Sequence, residues 1–413
     1  MKYNAWTLAL VGAGVISLPA VTHADESTNA VLSALAATTI SGYVDTSAQW
    51  NLGTGDANVP SYAFGGPGKA DGFNLNVVKL TIARDVVPTD SWGAGYKADL
   101  LFGPDADAFH TQSTGVTGDF AVKQAYVALH APIGNGLDFK VGVWDTIIGY
   151  EVFESVNNPN VTRSYGYSIE PTTHTGVQAT YQFCDAVSAT VGVADTFGPT
   201  INGRAFLGGG TTVPATGQGP EAESYKTYMG SITFTAPTNM SFLSGSTLSA
   251  CIINGFNAGS VNNGVGANQT SYYVGATINT PVTGLKFGAC FDYAEVPEQA
   301  PTVAAVAGGT LADAYARARV FGVYGSYQLT EKLGFYGRWE YAESDALTPF
   351  LATKLYEFTG TLQYDLWKNV LTRLEFRWDH AADASGPYGG TVAGTPGGKD
   401  NSYILLADIA YKF

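Results

Sequence analysis

The stretch NSYILLADIAYKF, Asn401 to Phe413, closes the chain. Side chains of an extended strand alternate between two faces. Tyr403, Leu405, Ala407, Ile409, Tyr411 and Phe413 therefore share one side, wholly apolar and ending in aromatics. Ser402, Ile404, Leu406, Asp408, Ala410 and Lys412 share the other, which holds a carboxylate and an ammonium. A strand of a soluble sandwich can show that pattern, but seldom as a chain terminus with an aromatic as its last residue. One face for lipid and one for a polar interior is what a membrane barrel requires of each strand.

The other end agrees. Lys2 supplies a short basic region, and Trp6 to Leu18 is apolar but too short to cross a bilayer as a helix. Thr22-His23-Ala24 places small residues at a cleavage position, so residues 1–24 read as a secretory signal peptide. Residues 25–38 are then an N-terminal periplasmic segment and 39–413 the barrel. No later stretch approaches 18 apolar residues, so nothing would arrest the chain in the inner membrane as a helix.

Charged residues make up only 14% of the chain, against 50 Gly, 24 Tyr and 21 Phe, as suits a barrel that is apolar outside and polar inside. A net charge of −14 argues against nucleic acid as a partner and against an anionic lipid-binding surface. Three cysteines cannot all pair internally. Cys251 and Cys290 fall two strands apart, about 9–10 Å, too far for a bridge. All three, Cys184 included, read as small apolar fillers.

Sixteen segments read as strands, joined alternately by long connections and short turns. Long connections follow odd strands. Short turns follow even ones, at Pro88–Asp90, Pro132–Asn135, Cys184-Asp185, Pro281–Gly284, Thr330-Glu331 and Trp367. A bacterial barrel requires this arrangement, with an even strand number and both termini on the inner side. Alternation is poor in strands 2, 4, 9 and 12, which leaves fourteen or eighteen strands open. The Ala-rich stretch Thr302–Ala318 could be helical. Aromatics gather at strand ends, with Trp92, Phe183, Trp367 and Tyr411 at one edge and Trp50, Phe102, Tyr341 and Trp378 at the other. Two such girdles flanking an apolar band mark a membrane barrel.

The final strand resembles the closing strand of bacterial outer-membrane barrels, whose assembly machinery reads a terminal Phe. Five further stretches carry a family likeness. They are SGYVDTSAQWNLG (41–53), FNLNVVKLTIARDV (73–86), YKADLLFGPDA (96–106), LDFKVGVWDTIIGYEVFES (137–155) and NPNVTRSYGYSIEPTTHTGV (158–177). Through them the chain resembles the OmpL-like class of β-barrel porins over nearly all of the mature region. The resemblance implies a transmembrane antiparallel β-barrel in the outer membrane acting as a diffusion channel for small polar solutes and ions, with the lipid bilayer as partner. It implies no particular solute. A substrate-specific channel for sugars or anions remains an alternative, as does a closed barrel serving as enzyme or adhesin. Oligomeric state is left open, a homotrimer included.

In general porins the long loop after strand 5 folds into the lumen. Here Ile148 to Thr173 occupies that place, with Glu151, Glu154 and Glu170, Arg163, and the bulk of Tyr150, Tyr165 and Tyr167. An outward surface loop is the plainer alternative. Alternation points Lys79, Lys97, Lys123 and Lys140 inward on strands 2 to 5. It points Arg338, Arg373 and Arg377 inward on strands 13 and 15, with Glu340, Glu375 and Asp379 interleaved. An acidic loop facing a basic wall would set a transverse field that sorts solutes by charge, with a mild cation preference. The plainer reading is that a polar lumen needs charges and many of them pair.

Chemistry beyond transport finds little support. Of His110, His130, His174 and His380, none precedes a Ser by two residues as an outer-membrane phospholipase would need. No histidine pair has metal spacing and no Cys-x-x-Cys occurs, so neither metal nor cofactor is expected, and no enzymatic activity. Asp105 and Asp107 read as solvated loop carboxylates, since a Ca²⁺ site needs about six oxygens. Gly208-Gly209-Gly210 lacks the Lys-Ser/Thr of a phosphate loop.

Overall fold

The computed structural model describes residues 37–53, 55–60, 62–86, 91–109, 111, 118–195, 197–203, 225–256, 268–296, 316–345 and 352–413. The expected signal peptide, residues 25–36, His110, the glycine triplet at 208–210, and 302–315 of the Ala-rich stretch lie outside those residues.

Sixteen strands form one closed antiparallel ring. In chain order they are β1 (Thr39–Asn51), β2 (Gly72–Arg84), β3 (Gly93–Phe102), β4 (Phe120–Ala131), β5 (Leu137–Asp145), β6 (Thr173–Cys184), β7 (Val187–Ala194) and β8 (Thr227–Thr235). There follow β9 (Thr247–Phe256), β10 (Asn268–Asn279), β11 (Leu285–Val296), β12 (Ala316–Gln328), β13 (Leu333–Ser344), β14 (Lys354–Trp367), β15 (Val370–Ala381) and β16 (Asn401–Lys412). Among the described residues two short α-helices interrupt the connections, α1 (Pro104–Phe109) after β3 and α2 (Tyr165–Ile169) after β5.

The sixteen strands coincide with the sixteen segments read from sequence, those with poor alternation included, and differences are confined to their ends. Ala316 to Ala318, counted with the Ala-rich stretch, belong to β12. Trp367 is the last residue of β14, and the turn passes instead through Asn369, whose φ is +70°. The poor alternation of β4 has a local cause. Asp99 pairs with Gln124 and Leu100 with Val122, so Lys123 is an extra residue in β4. That bulge turns both Lys123 and Gln124 inward, where both are buried.

The two faces separate as the closing strand requires. In β16 Ile404, Leu406, Asp408 and Ala410 are buried inside, while Ile409, Tyr411 and Phe413 are exposed outside. Cys251 and Cys290 are buried, whereas Cys184 is exposed on the β6–β7 turn and fills nothing. Asp105 is not solvated either. It lies buried in α1 at 2.8 Å from the Lys69 ammonium, and Asp107 accepts from the Gly118 amide.

The ring closes where β16 pairs with β1, from Tyr43 opposite Lys412 to Asn51 opposite Ile404. The Gly42 amide donates to Phe413 O at 3.0 Å and the Phe413 amide to Gly42 O at 2.9 Å. A Cβ at Gly42 would lie 2.1 Å from Lys79 O and 2.8 Å from the Phe413 ring, so only glycine admits this close approach. Phe413 lies on the outer face beside that seam. Phe413→Ala should therefore lower the fraction of chain that assembles into the heat-modifiable barrel, seen as a gel shift, and leave the conductance of each assembled barrel unchanged. Normal assembly with altered conductance would contradict this placement.

Candidate functional site: a loop held across the lumen

Residues 146–172 connect β5 to β6 with little regular structure, a 3-10 turn at Ser155–Asn157 and α2 excepted. Irregular backbone at membrane depth survives only where its peptide groups find partners inside the protein. Here the partners are inward side chains of distant strands. The Val161 and Thr162 amides donate to the two oxygens of Glu375 on β15, at 2.6 and 2.9 Å. The Tyr165 and Gly166 amides donate to the two oxygens of Glu340 on β13, at 2.8 and 3.2 Å.

Guanidiniums answer the carbonyls. Arg373 donates to Ser155 O, Arg338 to Thr162 O and Arg377 to Arg163 O, each at 2.7 Å. Asn160 donates to Thr361 on β14 at 2.7 Å, Lys412 on β16 to Val156 O at 2.9 Å, and Ser155 to Asp45 on β1. The Ser164 hydroxyl accepts from the Tyr167 amide and so starts α2. A segment rooted between β5 and β6 that bonds to β1, β13, β14, β15 and β16 must cross the interior of the ring.

The wall charges also pair among themselves. Arg338 meets Glu151 at 2.8 Å and Glu357 at 3.1 Å, Arg373 meets Asp408 at 2.8 Å, and Arg377 meets Asp379 at 2.8 Å. On the near side Lys79 and Lys123 both reach Glu154, Lys123 also reaches Asp145 at 2.5 Å, and Lys97 reaches Asp99 at 3.3 Å. Burial alone would raise the Glu154 carboxyl, but the Lys123 and Lys79 charges outweigh it and bring it down to about 2. Glu170 is the opposite case. Burial first, then the neighbouring Asp292 carboxylate on β11, hold it well above the usual range. Glycines make room for that pair, since a Cβ at Gly149 would lie 2.4 Å from Glu170 and one at Gly166 2.8 Å from Asp292.

Outer connections pack on the loop from above. Phe64 and Phe109 each set an edge against the Phe153 ring at 5.0 Å, and Tyr388 shares a buried cluster with Tyr165. Arg377 lies over the Tyr62 ring at 4.4 Å. Asn58 ties the first outer connection to the last, donating to Gly389 O at 2.8 Å and Thr395 O at 2.7 Å and accepting from the Gly394 amide at 2.8 Å.

Of the residues singled out by sequence, the structure gathers Glu151, Glu154 and Arg163 with Lys79, Lys123, Arg338, Arg373 and Arg377, and buries all eight. They anchor the loop to the wall instead of facing each other across open water, so the charges of these eight do not form an acidic face opposing a basic one. Arg163 turns back on its own loop, donating to Val161 O and Phe153 O. Lys97 and Lys140 remain half-exposed, Lys140 over the Tyr126 ring at 5.2 Å. Glu357 and Asp292 were not anticipated, although inward parity on β14 and β11 would have found both.

Against known proteins, residues 37–413 match the family described as "Putative beta-barrel porin-2, OmpL-like". The chain belongs to that family. It is an outer-membrane porin, a barrel built as a channel. Among solved structures it is similar to the outer-membrane channel DcaP of Acinetobacter baumannii, with 14% identity, a TM-score of 0.56, and coverage of 91% of this chain and 97% of that one. It is also similar to the anion-selective porin from Comamonas acidovorans, with 11% identity, a TM-score of 0.59, and coverage of 91% and 99%. A third is OmpT of Vibrio cholerae in its trimer form, with 13% identity, a TM-score of 0.53, and coverage of 91% and 99%. At these identities the likeness is one of fold. No protein with a curated description matches the chain.

The two loop carboxyls give pH dependences of opposite sign. The folded protein depresses Glu154, so that residue adds stability at neutral pH which is lost as pH falls from about 4.5 towards about 2. Glu154→Gln should cost roughly 3 kcal/mol at pH 7, with the deficit closing in acid. The folded protein raises Glu170, so its stabilisation is full in acid and declines as pH rises above the ordinary carboxyl range. Glu170→Gln should therefore gain on the wild type between pH 5 and 8. Thermal unfolding followed by circular dichroism across that range checks both, and parallel profiles for the two variants would contradict the assignment.

Proposed function

We propose that the protein passes small hydrophilic solutes by passive diffusion along a path bounded by the loop on one side and by β3 to β10 on the other. A contrast of exposure around the ring supports this. Inward charges of β13 to β15 are sealed, with Arg338, Glu340, Glu357, Arg377 and Asp379 at 0–1% exposure. On β3 to β10 the inward Lys97, Tyr126, Lys140, Thr180, Thr190 and Thr233, towards the short turns, are half-exposed, whereas Gln178, Met229, Ile253 and Tyr273 nearer the outer connections are buried. From the loop itself Val152 is exposed and Ile147 and Tyr150 are half-exposed.

This path changes the expected ion preference. Glu151 and Glu154 are neutralised by their partners, so the half-exposed Lys140, with Lys97 beyond its pairing to Asp99, carries the field a passing ion meets, and it favours anions mildly. The exported, outer-membrane location and a homotrimeric assembly belong to the same proposal.

In planar bilayers the protein should give steady ohmic steps, with a reversal potential under a salt gradient on the anion side. Lys97→Gln with Lys140→Gln should move that potential towards cations by more than Glu151→Gln with Glu154→Gln moves it towards anions. A larger effect of the glutamate pair would put the path on the wrong side of the loop. Absence of any conductance would favour a filled barrel.

A further inference from the structure

Five consecutive strands, β6 to β10, contain no Asp, Glu, Lys or Arg. All the other strands carry at least one. The inward positions of these five strands, on their short-turn half, hold hydroxyls and an amide in cross-strand rows. Thr180, Thr190 and Ser231 stand opposite one another on β6, β7 and β8. Gln182, Ser188, Thr233 and Ser249 form the next row over β6 to β9, and Thr235, Thr247 and Thr277 a third over β8 to β10. Thr180 and Thr190 share a hydrogen bond of 2.8 Å, and Thr233 and Ser249 one of 2.9 Å. Thr277 donates to the Tyr150 hydroxyl of the loop at 3.4 Å. The hydroxyl-bearing members of all three rows are half-exposed.

We propose that this charge-free hydroxyl wall is the selectivity element of the pore, and that it favours uncharged polyhydroxylated solutes such as alditols and sugars over ions of equal size. The proposal rests on the diffusion path argued above. Each hydroxyl both donates and accepts, so a row of them can exchange hydrogen bonds with a polyol at every spacing without needing a matched partner of opposite sign. An ion that sheds water against the same wall finds no countercharge and keeps the full cost of desolvation. The charges of the facing wall do not alter this, because the loop's anchors already engage them, and the half-exposed Lys97 and Lys140 on β3 and β5 offset only part of an anion's cost. Selection is thus by what one arc of the ring lacks.

Liposome swelling tests it, with xylitol, xylonate and the lysine cation as probes of comparable size. Xylitol should enter several-fold faster than either ion. Thr190→Val with Thr233→Val keeps side-chain volume while removing two hydroxyls. It should lower the xylitol rate several-fold and the chloride conductance by a smaller factor, the heat-induced gel shift confirming that the barrel has formed. Equal entry of xylitol and xylonate, or an undiminished xylitol advantage in the folded double variant, would overturn the proposal. Entry of no probe at all would overturn the diffusion reading and this inference with it.

Discussion

The peptide groups of the segment between β5 and β6 impose the constraint on which the rest of the interior depends. A buried N–H or C=O without a partner costs as much as a lost hydrogen bond, and outside α2 and one 3-10 turn neither helix nor sheet supplies those partners. The wall does so with charge. Carboxylates of Glu340 and Glu375 each take two successive amides, and guanidiniums of Arg338, Arg373 and Arg377 each reach a carbonyl. Both kinds of group are needed because the backbone offers both donors and acceptors. Their spacing of two residues along β13 and β15 follows from strand geometry, since only alternate positions face inward.

That requirement explains why the interior is so charged and yet so nearly neutral. Removing one member of a buried pair costs roughly 3–5 kcal/mol because it strands the other. Each guanidinium anchor therefore comes with a countercharge, Arg338 with Glu151 and Glu357, Arg373 with Asp408 and Arg377 with Asp379. A loop anchored in this way is rigid, which a size filter needs. The same pairing removes those residues from any role in sorting ions. The field left for solutes comes from the few half-exposed charges that the loop does not cover.

The barrel was legible in sequence because its signal is a backbone property. Period-two alternation and short turns after even strands survive any choice of loop, and together they located the sixteen strands even though four of them alternate poorly. What alternation could not convey is partnership. It turned Arg377 inward correctly, but the carbonyl that Arg377 serves lies 214 residues away at Arg163, a distance that no local pattern encodes. An inward charge in a porin invites the reading of a pore-lining charge, and for Glu151, Glu154 and Arg373 the structure supplies a buried partner instead. The bulge at Lys123 marks a second limit, since one extra residue shifts every parity argument beyond it.

The distribution of charge around the ring is best understood as two surfaces with different tasks. One arc, from β13 through β16 to β2, is built to hold a loop, and its side chains are spent on peptide groups and on one another. The other arc, β6 to β10, holds no charged residue, and its hydroxyls pair only in part. Anchoring demands fixed, matched and buried partners. Passage demands the reverse, groups that can be bonded and released at every step with no single strong well. A chain that placed its charged residues evenly would do neither well, because lysines added beyond the half-exposed Lys97 and Lys140 would trap anions on the passage side, and a gap on the anchoring side would leave amides unanswered. Asymmetry about the barrel axis is therefore the expected result of fixing a loop inside a pore while keeping the pore permeable.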